Sequence, residues 1–254
     1  MTVVVKLGGR ALEKESRMRE LFAEIKAQSS RFDFIVVHGG GADVTAVSRK
    51  LGIEAEFKDG IRRTSEAEMD IVDMVLSGRI NTRLVRLGRA AGLDAAGVSC
   101  SDGGLFIGRT VPGSASNRTG EIQAVNPKLL EILLSGGFLP VVSPACMDEE
   151  GGGLNINADQ AAFALAAAVK AETLVFFSDI PGILRDGSVL PELSIEAARS
   201  LIEEGVISGG MIPKVTSSLE AIKRGVNRVI IGEYSKSGDL ESFLNGSAGT
   251  RIHR

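Results

Sequence analysis

The chain has 254 residues, of which 44% are hydrophobic and 24% charged, and its formal net charge is −3. This composition is typical of a globular protein that has room for one large α/β domain. The slight acidic balance disfavours a general nucleic-acid binder, which usually carries a basic surplus, so we expect no nucleic-acid partner.

The cysteines and the apolar runs indicate the compartment. Cys100 and Cys146 are far apart in the sequence and have no C-x-x-C partner, so we expect buried free thiols. The N-terminal apolar run is short and contains Lys6, which disfavours a signal peptide. The alanine-rich segment 161–169 is too short to span a bilayer. We therefore expect a cytoplasmic protein with no membrane partner.

Two apolar strands near the N-terminus each run into a glycine cluster. The first strand begins at Val3 and ends before Gly8-Gly9, and the second, Phe32–Val37, ends before Gly39-Gly40-Gly41. An amphipathic helix over 12–29 separates them, and this order predicts a parallel β-α-β unit with a right-handed crossover. Both clusters then lie at the same edge of the sheet, where ligands bind in such folds.

Lys6 lies just before the first glycine pair. Backbone N–H groups that converge in a glycine turn beside a fixed ammonium group suit a phosphate. The alternative is an ordinary strand–turn–helix entry in which Lys6 extends into solvent. The two clusters together favour the phosphate site.

The next part of the chain is predicted to be mostly helical. A helix over 42–51 is followed by a hairpin-like segment over 57–64, where Arg62 or Arg63 could hold a carboxylate or form a solvated surface pair. Ser65–Ala91 is predicted to be one long helix with two apolar faces. One face would pack on the sheet and the other would meet a second subunit, although a helix buried on most sides fits as well.

The rest of the chain is predicted to alternate strands, helices and glycine-rich loops. Predicted strands are 95–99, 105–107, 139–143, 174–177, 226–231 and 249–252. Predicted helices are 126–134, 158–170, 195–204, 215–224 and 240–244, and predicted loops are 113–120, 148–153 and 205–214.

Several kinds of site are disfavoured by their missing motifs. The sequence lacks G-x-x-x-x-G-K-[ST], HRD, DFG and G-x-S-x-G, and no G-x-G-x-x-G follows the early strands. It holds two histidines, which makes a histidine-based metal site improbable. The glycine turns with Lys6, Arg62, Asp159 and Lys214 suit phosphoryl transfer, where catalysis is mostly positioning and charge neutralisation. A carboxylate acceptor, ionised at neutral pH, needs no general base.

Six segments carry a resemblance to a known family. They are Lys6-Leu7-Gly8-Gly9, His38-Gly39-Gly40-Gly41, Gly60-Ile61-Arg62-Arg63-Thr64, Asn155-Ile156-Asn157-Ala158-Asp159-Gln160, Ser178-Asp179-Ile180-Pro181-Gly182 and Gly209-Gly210-Met211-Ile212-Pro213-Lys214. In this order they resemble the amino-acid kinase family, over nearly the whole chain. The fourth and sixth segments are similar to the branch that phosphorylates N-acetyl-L-glutamate in arginine biosynthesis.

The resemblance implies a single amino-acid kinase domain with a three-layer α/β/α sandwich and a central, mainly parallel sheet. A substrate lobe would cover about 1–170 and an ATP lobe about 171–254. Magnesium would bind through the ATP phosphates, with few or no direct protein ligands.

The resemblance also implies roles for individual residues. Lys6 and Lys214 would stabilise the transition state, and Asp159 would orient them. The acetylglutamate site would include Gly40, Gly41, Arg62 and Asn155. The residues expected at the phosphates or the nucleotide are Gly8, Gly9, Ser178, Asp179, Gly182, Ile183, Val206, Ile207 and Ser208.

Some features depart from the family pattern. Position 10 is Arg, which adds a cation, and Arg63 follows Arg62, so Arg62 is chosen by its place in the motif. Only two residues precede the first strand, whereas ring-forming members inhibited by arginine carry a further N-terminal helix. The resemblance therefore implies a homodimer built on the Ser65–Ala91 helix, without inhibition by arginine.

Three alternatives stay open. A related kinase could act on an aminoadipyl or glutamyl group held by a small acidic carrier protein, which Arg79, Arg83, Arg86 and Arg89 could dock, although these side chains also fit a solvated helix flank. A non-catalytic amino-acid or nucleotide sensor is disfavoured because both lysines are present. A uridylate or carbamate kinase is disfavoured by the N-x-N-A-D-Q segment.

Overall fold

A computed structural model describes residues 1–8, 14–58, 61–111 and 117–254, apart from the side chain of Lys58. The chain divides into two compact units. The first combines Met1–Ile35 with Ala162–Arg254, and the second is Val36–Ala161. The lobe boundary predicted near residue 170 stays a prediction.

The helices and strands follow one another as the sequence predicts for an α/β protein. The strands are β1 (Thr2–Leu7), β2 (Asp33–His38), β3 (Glu56–Lys58), β4 (Ile61–Arg63), β5 (Ala95–Ser99), β6 (Phe106–Thr110), β7 (Gly120–Val125), β8 (Leu139–Ser143), β9 (Ala145–Met147), β10 (Gly153–Asn155), β11 (Thr173–Phe177), β12 (Leu184–Arg185), β13 (Ser188–Val189), β14 (Glu192–Ser194), β15 (Arg228–Gly232) and β16 (Thr250–His253). The α-helices are α1 (Glu15–Gln28), α2 (Gly41–Lys50), α3 (Glu66–Val72), α4 (Asn81–Ala90), α5 (Lys128–Ser135), α6 (Ala158–Ala168), α7 (Ile195–Glu203), α8 (Met211–Lys223) and α9 (Asp239–Asn245).

The first unit is built on a mainly parallel sheet. Its strands lie in the order β14, β16, β15, β11, β1, and only the pair β15–β16 is antiparallel. Strands β1 and β11 are buried on both faces, which explains their unbroken apolar sequences. In their register Lys6 is opposite Phe176, so both side chains leave the sheet at the carboxyl ends of the strands.

The second unit has its own parallel strands. Strand β8 lies between β2 and β5 and is parallel to both. A smaller sheet has the order β10, β9, β6, β7, and β3 pairs with β4 as the predicted hairpin. The α/β class with mainly parallel strands is thus confirmed.

The predicted helix Ser65–Ala91 contains a change of winding. Helix α3 passes into a π-helical segment, Asp73–Ile80, and then into α4. The predicted core face is confirmed, because Met69, Val72, Leu76, Ile80, Leu84 and Leu87 are all buried. On the second face Ile71 and Val75 are also buried, whereas Met74 is 57% exposed.

The differences from the predicted elements are local. Strands β7, β9, β10, β12, β13 and β14 were not predicted, and five of these six have only two or three residues. Helix α8 begins at Met211 rather than at 215, because proline is tolerated in the first turn of a helix. Within the described ranges, every helix is too short or too polar to cross a membrane.

Candidate active site

The end of β1 holds the first predicted catalytic residue. Lys6 is only 7% exposed, and its ammonium group lies 4.8 Å from the centroid of the Phe176 ring. A Cβ atom at Gly8 would collide with the Lys6 Nζ atom. The glycine at position 8 therefore makes room for the ammonium group beside the backbone. Gly9 and Arg10 lie outside the described residues.

Lys214 reaches the same aromatic ring from another element. It lies in the first turn of α8, and its ammonium group is 5.0 Å from the Phe176 centroid. A cation at the N-terminus of a helix opposes the helix dipole, so this position does not favour a lysine for stability. Phe176 itself is fixed by Phe163 of α6, whose ring stacks on it with centroids 5.3 Å apart. The first unit thus brings together Lys6, Gly8 and Lys214.

The residues predicted at the nucleotide lie after β11 and before α8. The Ser178 N–H donates to the Gly232 carbonyl at 2.8 Å, which extends the sheet by one residue. Gly182 has no room for a side chain because Thr250 and Val189 lie against it, and Ile183 donates its N–H to the Thr250 hydroxyl at 2.7 Å. These contacts fix the backbone of the loop.

The remaining predicted nucleotide residues differ in exposure. Asp179 and Ser208 are exposed, Val206 is half-buried, and Ile207 is buried with its N–H donating to the Leu201 carbonyl at 2.9 Å. Of these four residues, Asp179 and Ser208 are therefore the ones whose side chains have the most access to solvent and to a ligand.

In the second unit, the glycine turn after β2 is closed on one side and open on the other. A Cβ atom at Gly40 would collide with Ile80 and Leu76 of the π-helical segment. At Gly41 an added Cβ would meet nothing within 4 Å. The turn opens α2, whose first N–H groups have no acceptor within the helix and can bind an anion.

Arg62 reaches this turn from β4. Its guanidinium group donates to the Gly41 carbonyl at 2.9 Å and to the Thr45 hydroxyl. It also pairs with Glu68 at 2.6 Å, and the two side chains are 7% and 2% exposed. Glu68 was not singled out from the sequence. A glutamate at the third position after a serine N-cap suggests only a capping box, and the structure instead shows an ion pair.

Asn155 lies close to the backbone of Arg62. Its side-chain amide donates to the Thr64 hydroxyl at 2.9 Å, and the backbone N–H of Thr64 donates to the Thr119 hydroxyl at 2.9 Å. The Thr119 hydroxyl in turn donates to the Arg62 carbonyl at 2.8 Å. The second unit thus brings together four predicted substrate residues, which are Gly40, Gly41, Arg62 and Asn155.

Asp159 lies in the first turn of α6 and is half-buried. The helix is capped by Asn157, whose side-chain oxygen accepts from the N–H groups of Asp159 and Gln160 at 2.8 and 3.3 Å. Because the Asn157 side chain caps the helix, the Asp159 carboxylate is not needed as a capping group.

Burial shifts the pKa of one histidine and of both cysteines in the second unit. Burial lowers the pKa of His38 to about 4, raises the pKa of Cys146 to about 12 and raises the pKa of Cys100 well above its usual value. Both cysteines are buried free thiols, as predicted. Among the described residues, no group of three or more His, Cys, Asp or Glu side chains could hold a metal ion.

Comparisons with known proteins complete these observations. A model of the amino acid kinase family matches residues 1–233. The acetylglutamate kinases of Geobacillus kaustophilus and of a Nostoc species are 41% and 42% identical to the chain. These alignments cover 100% and 99% of this chain, and 96% and 87% of the relatives.

Two solved structures share the fold at lower identity. The N-acetylglutamate synthase of Neisseria gonorrhoeae, complexed with coenzyme A and N-acetyl-glutamate, superposes with a TM-score of 0.86 at 23% identity. The match covers all of this chain and 59% of the synthase. The carbamate kinase of Giardia lamblia bound to AMP-PNP gives a TM-score of 0.73 at 20% identity, with 100% and 98% coverage.

Proposed function

Because the chain belongs to the amino acid kinase family, we propose that it transfers the γ-phosphoryl group of ATP to the γ-carboxylate of N-acetyl-L-glutamate. The product is N-acetylglutamyl 5-phosphate, an intermediate of arginine biosynthesis. Full-length relatives at about 40% identity that are named acetylglutamate kinase support this substrate.

One structural observation carries the chemistry. The ammonium groups of Lys6 and Lys214 both lie within about 5 Å of the centre of one aromatic ring, at the carboxyl end of parallel strands. The two like charges repel each other, and a polyanion bound beside them offsets that repulsion. Phosphoryl transfer places such an anion there, because negative charge spreads over the oxygens of the transferred group. The lysines neutralise that charge.

The acceptor explains why no general base is required. A free glutamate side chain titrates at about 4.3, so the γ-carboxylate is already a nucleophile at neutral pH. Catalysis then consists of holding the carboxylate in line with the leaving oxygen and stabilising the transferred charge. We assign the orientation of the lysines to Asp159. It lies four residues before Phe163, and therefore on the same face of α6 as the ring that stacks on Phe176.

The second unit supplies the substrate residues of the proposal. Arg62 and Asn155 bind the amino-acid end of acetylglutamate, and the N–H groups of Gly40 and Gly41 bind its γ-carboxylate. Among the described residues, Arg62 donates one Nη1–H to Glu68 and its Nη2–H groups to Gly41 and Thr45, so its Nε–H and the other Nη1–H remain for this purpose.

The nucleotide is bound by the loops that contain Gly8, Gly9, Ser178, Asp179, Gly182, Ile183, Val206, Ile207 and Ser208. The two ammonium groups suit the negative charge of a triphosphate, and the backbone at Gly8 can be approached closely because it has no Cβ atom. Magnesium would be held through the ATP phosphates and would neutralise part of their charge. We also propose a cytoplasmic homodimer built on the Ser65–Ala91 helix.

Trapping with hydroxylamine tests the function. The purified protein is incubated with ATP, magnesium and a panel of free carboxylic amino acids, and acyl phosphates are detected as hydroxamates. We expect a signal with acetylglutamate and none with aspartate, glutamate or carbamate. A signal only with a glutamyl or aminoadipyl group on a carrier protein would contradict the proposal, and so would ATP binding without any turnover.

A further inference from the structure

The imidazole ring of His38 is fixed between the glycine turn and the helix that follows the π-helical segment. The ring is fully buried at the end of β2. Its Nδ1 atom lies 2.9 Å from the carbonyl oxygen of Gly39, and its Nε2 atom lies 3.2 Å from Nδ2 of Asn81. Asn81 belongs to the first turn of α4 and also donates to the Val141 carbonyl at 2.8 Å.

These contacts assign the tautomer of the ring. A carbonyl oxygen can only accept, so Nδ1 must carry the proton and donate to Gly39. Nε2 is then the acceptor for the amide of Asn81. Burial also lowers the pKa of His38 to about 4, so the ring is neutral near neutral pH. Asn81 thus selects one tautomer, and that tautomer holds the Gly39 carbonyl.

The direction of one carbonyl fixes the direction of the next N–H. In a trans peptide the Gly39 carbonyl and the Gly40 N–H point in opposite directions, so holding one aims the other. The Gly40 Cα cannot move toward the π-helical segment because Ile80 and Leu76 already lie against it. The Gly41 carbonyl is held in the same way, by Arg62 at 2.9 Å.

We propose that His38, oriented by Asn81, is a positioning residue that aims the Gly40 N–H at an anionic oxygen of the acyl phosphate as it forms. This proposal rests on the proposed function. It gives His38 a role in turnover without proton transfer, because Nδ1 keeps its proton throughout and donates it in the hydrogen bond to the Gly39 carbonyl.

The tautomer can be tested without any activity. In protein labelled with ¹⁵N at histidine, the two ring nitrogens give separate signals whose shifts report which one carries the proton. His253→Gln leaves only the signals of His38, since the chain has two histidines. We expect a protonated Nδ1 and an unprotonated Nε2 at neutral pH. A proton on Nε2 would overturn the proposal whatever reaction the protein catalyses.

Two isosteric replacements test the link to turnover. In His38→Asn the amide nitrogen can take the place of Nδ1 and donate to Gly39, whereas in His38→Gln the amide takes the place of Nε2. Both remove ring volume, so both lower the unfolding temperature by a similar amount. We expect kcat to stay within about threefold of wild type for His38→Asn and to fall at least about tenfold for His38→Gln, with the ATP KM unchanged.

Further variants separate positioning from stability. Asn81→Ser is expected to lower kcat in the wild-type background and to add nothing in the His38→Gln background, because both act through one tautomer. His253→Gln is the control and keeps wild-type kcat. Equal kcat values for His38→Asn and His38→Gln would overturn the proposal. A wild-type protein that makes no acyl phosphate would instead refute the proposed function, and the tautomer test would then decide whether the assigned ring geometry is right.

Discussion

Lys6 and Lys214 belong to opposite ends of the chain, and their ammonium groups lie over the same Phe176 ring, 4.8 and 5.0 Å from its centroid. The distance between the two ammonium groups therefore cannot exceed the sum of these two distances. The electron-rich face of an aromatic ring attracts each cation by about 0.5 to 2 kcal/mol. Phe176 therefore provides a surface on which two like charges can be held together beside a phosphate.

Replacing Lys214 by alanine should lower kcat about 10²- to 10³-fold and change the ATP KM much less. Lys214 stabilises charge that spreads over the transferred group in the transition state, so its loss affects turnover more than binding. Steady-state kinetics measure both constants. Lys223→Ala is the matched control, since Lys223 is an exposed lysine at the other end of α8. Wild-type turnover in Lys214→Ala would refute the mechanism.

Gly8→Ala should inactivate the protein without unfolding it. The new methyl group would occupy the position of the Lys6 ammonium, which has to leave its place over Phe176. We expect kcat to fall at least about 10²-fold, comparable with the loss of one charge-stabilising group. Circular dichroism and kinetics check fold and activity. Gly78→Ala serves as the control, because the added Cβ meets only the Asp73 carbonyl, at 3.9 Å. A fully active Gly8→Ala protein would contradict this arrangement.

The order of strands and helices could be predicted because apolar periodicity reports burial directly. The parallel pairs, the hairpin over 57–64 and the long helix after Ser65 follow from that pattern. Periodicity does not distinguish an α-helix from a π-helical segment of eight residues, so Asp73–Ile80 was predicted as α-helix. The two- and three-residue strands are too short for any pattern to repeat.

The site could be predicted only in part. Glycine turns, lysines and arginine are recognisable because their chemistry is local to a motif. His38 was noted only as part of the segment before Gly39, with no role of its own, since its partner Asn81 is distant in the sequence and no spacing rule links them. Asn81 lies in a helical stretch that also holds Arg79 and Arg83, so nothing in the sequence marks it out for this contact. Phe176 gave no signal because it resembles any buried strand residue.

The buried pair Arg62–Glu68 should contribute to stability and to substrate binding in separable ways. Arg62→Leu leaves the 2%-exposed Glu68 carboxylate without its cation, so the free energy of unfolding should fall by about 3 to 5 kcal/mol. The double variant Arg62→Leu/Glu68→Leu removes both charges and should recover most of that loss. Urea denaturation measures these values, with Arg63→Leu as the control.

The same double variant tests the binding role of Arg62. The double variant should be stable, but its KM for acetylglutamate should rise at least about tenfold, because it lacks the contact between the Arg62 guanidinium group and the substrate carboxylate. Its KM for ATP should not change. If the double variant kept the wild-type KM for acetylglutamate, Arg62 would be a purely structural residue.

Met74 is the residue through which the dimer can be tested. It is 57% exposed in the middle of the helix Ser65–Ala91, where the proposed partner would cover it. Met74→Glu would bury a charge in that interface, so sedimentation should show a monomer. Ile132→Glu is the control, because Ile132 is 56% exposed on α5, outside the proposed interface. A hexameric wild type would contradict the proposed assembly.

His38 should make the protein less stable in acid. Its pKa is lowered by burial, and also by the positive charge of Arg83, from 6.5 to about 4, although the hydrogen bond with Gly39 acts in the opposite direction. Between these values the unfolded chain binds the proton more readily than the folded one. The stability linked to His38 is therefore fully present above pH 6.5 and is lost as the pH falls toward 4.

At 1.36 kcal/mol per pKa unit, this loss approaches about 3 kcal/mol. Urea denaturation of wild type and His38→Asn at several pH values measures it. The variant is less stable at neutral pH, because it lacks the ring, but its free energy of unfolding should vary less between pH 6.5 and 4. His253→Gln, which removes a surface histidine, should retain the slope attributed to His38. An unchanged slope in His38→Asn would show that other groups cause the acid sensitivity.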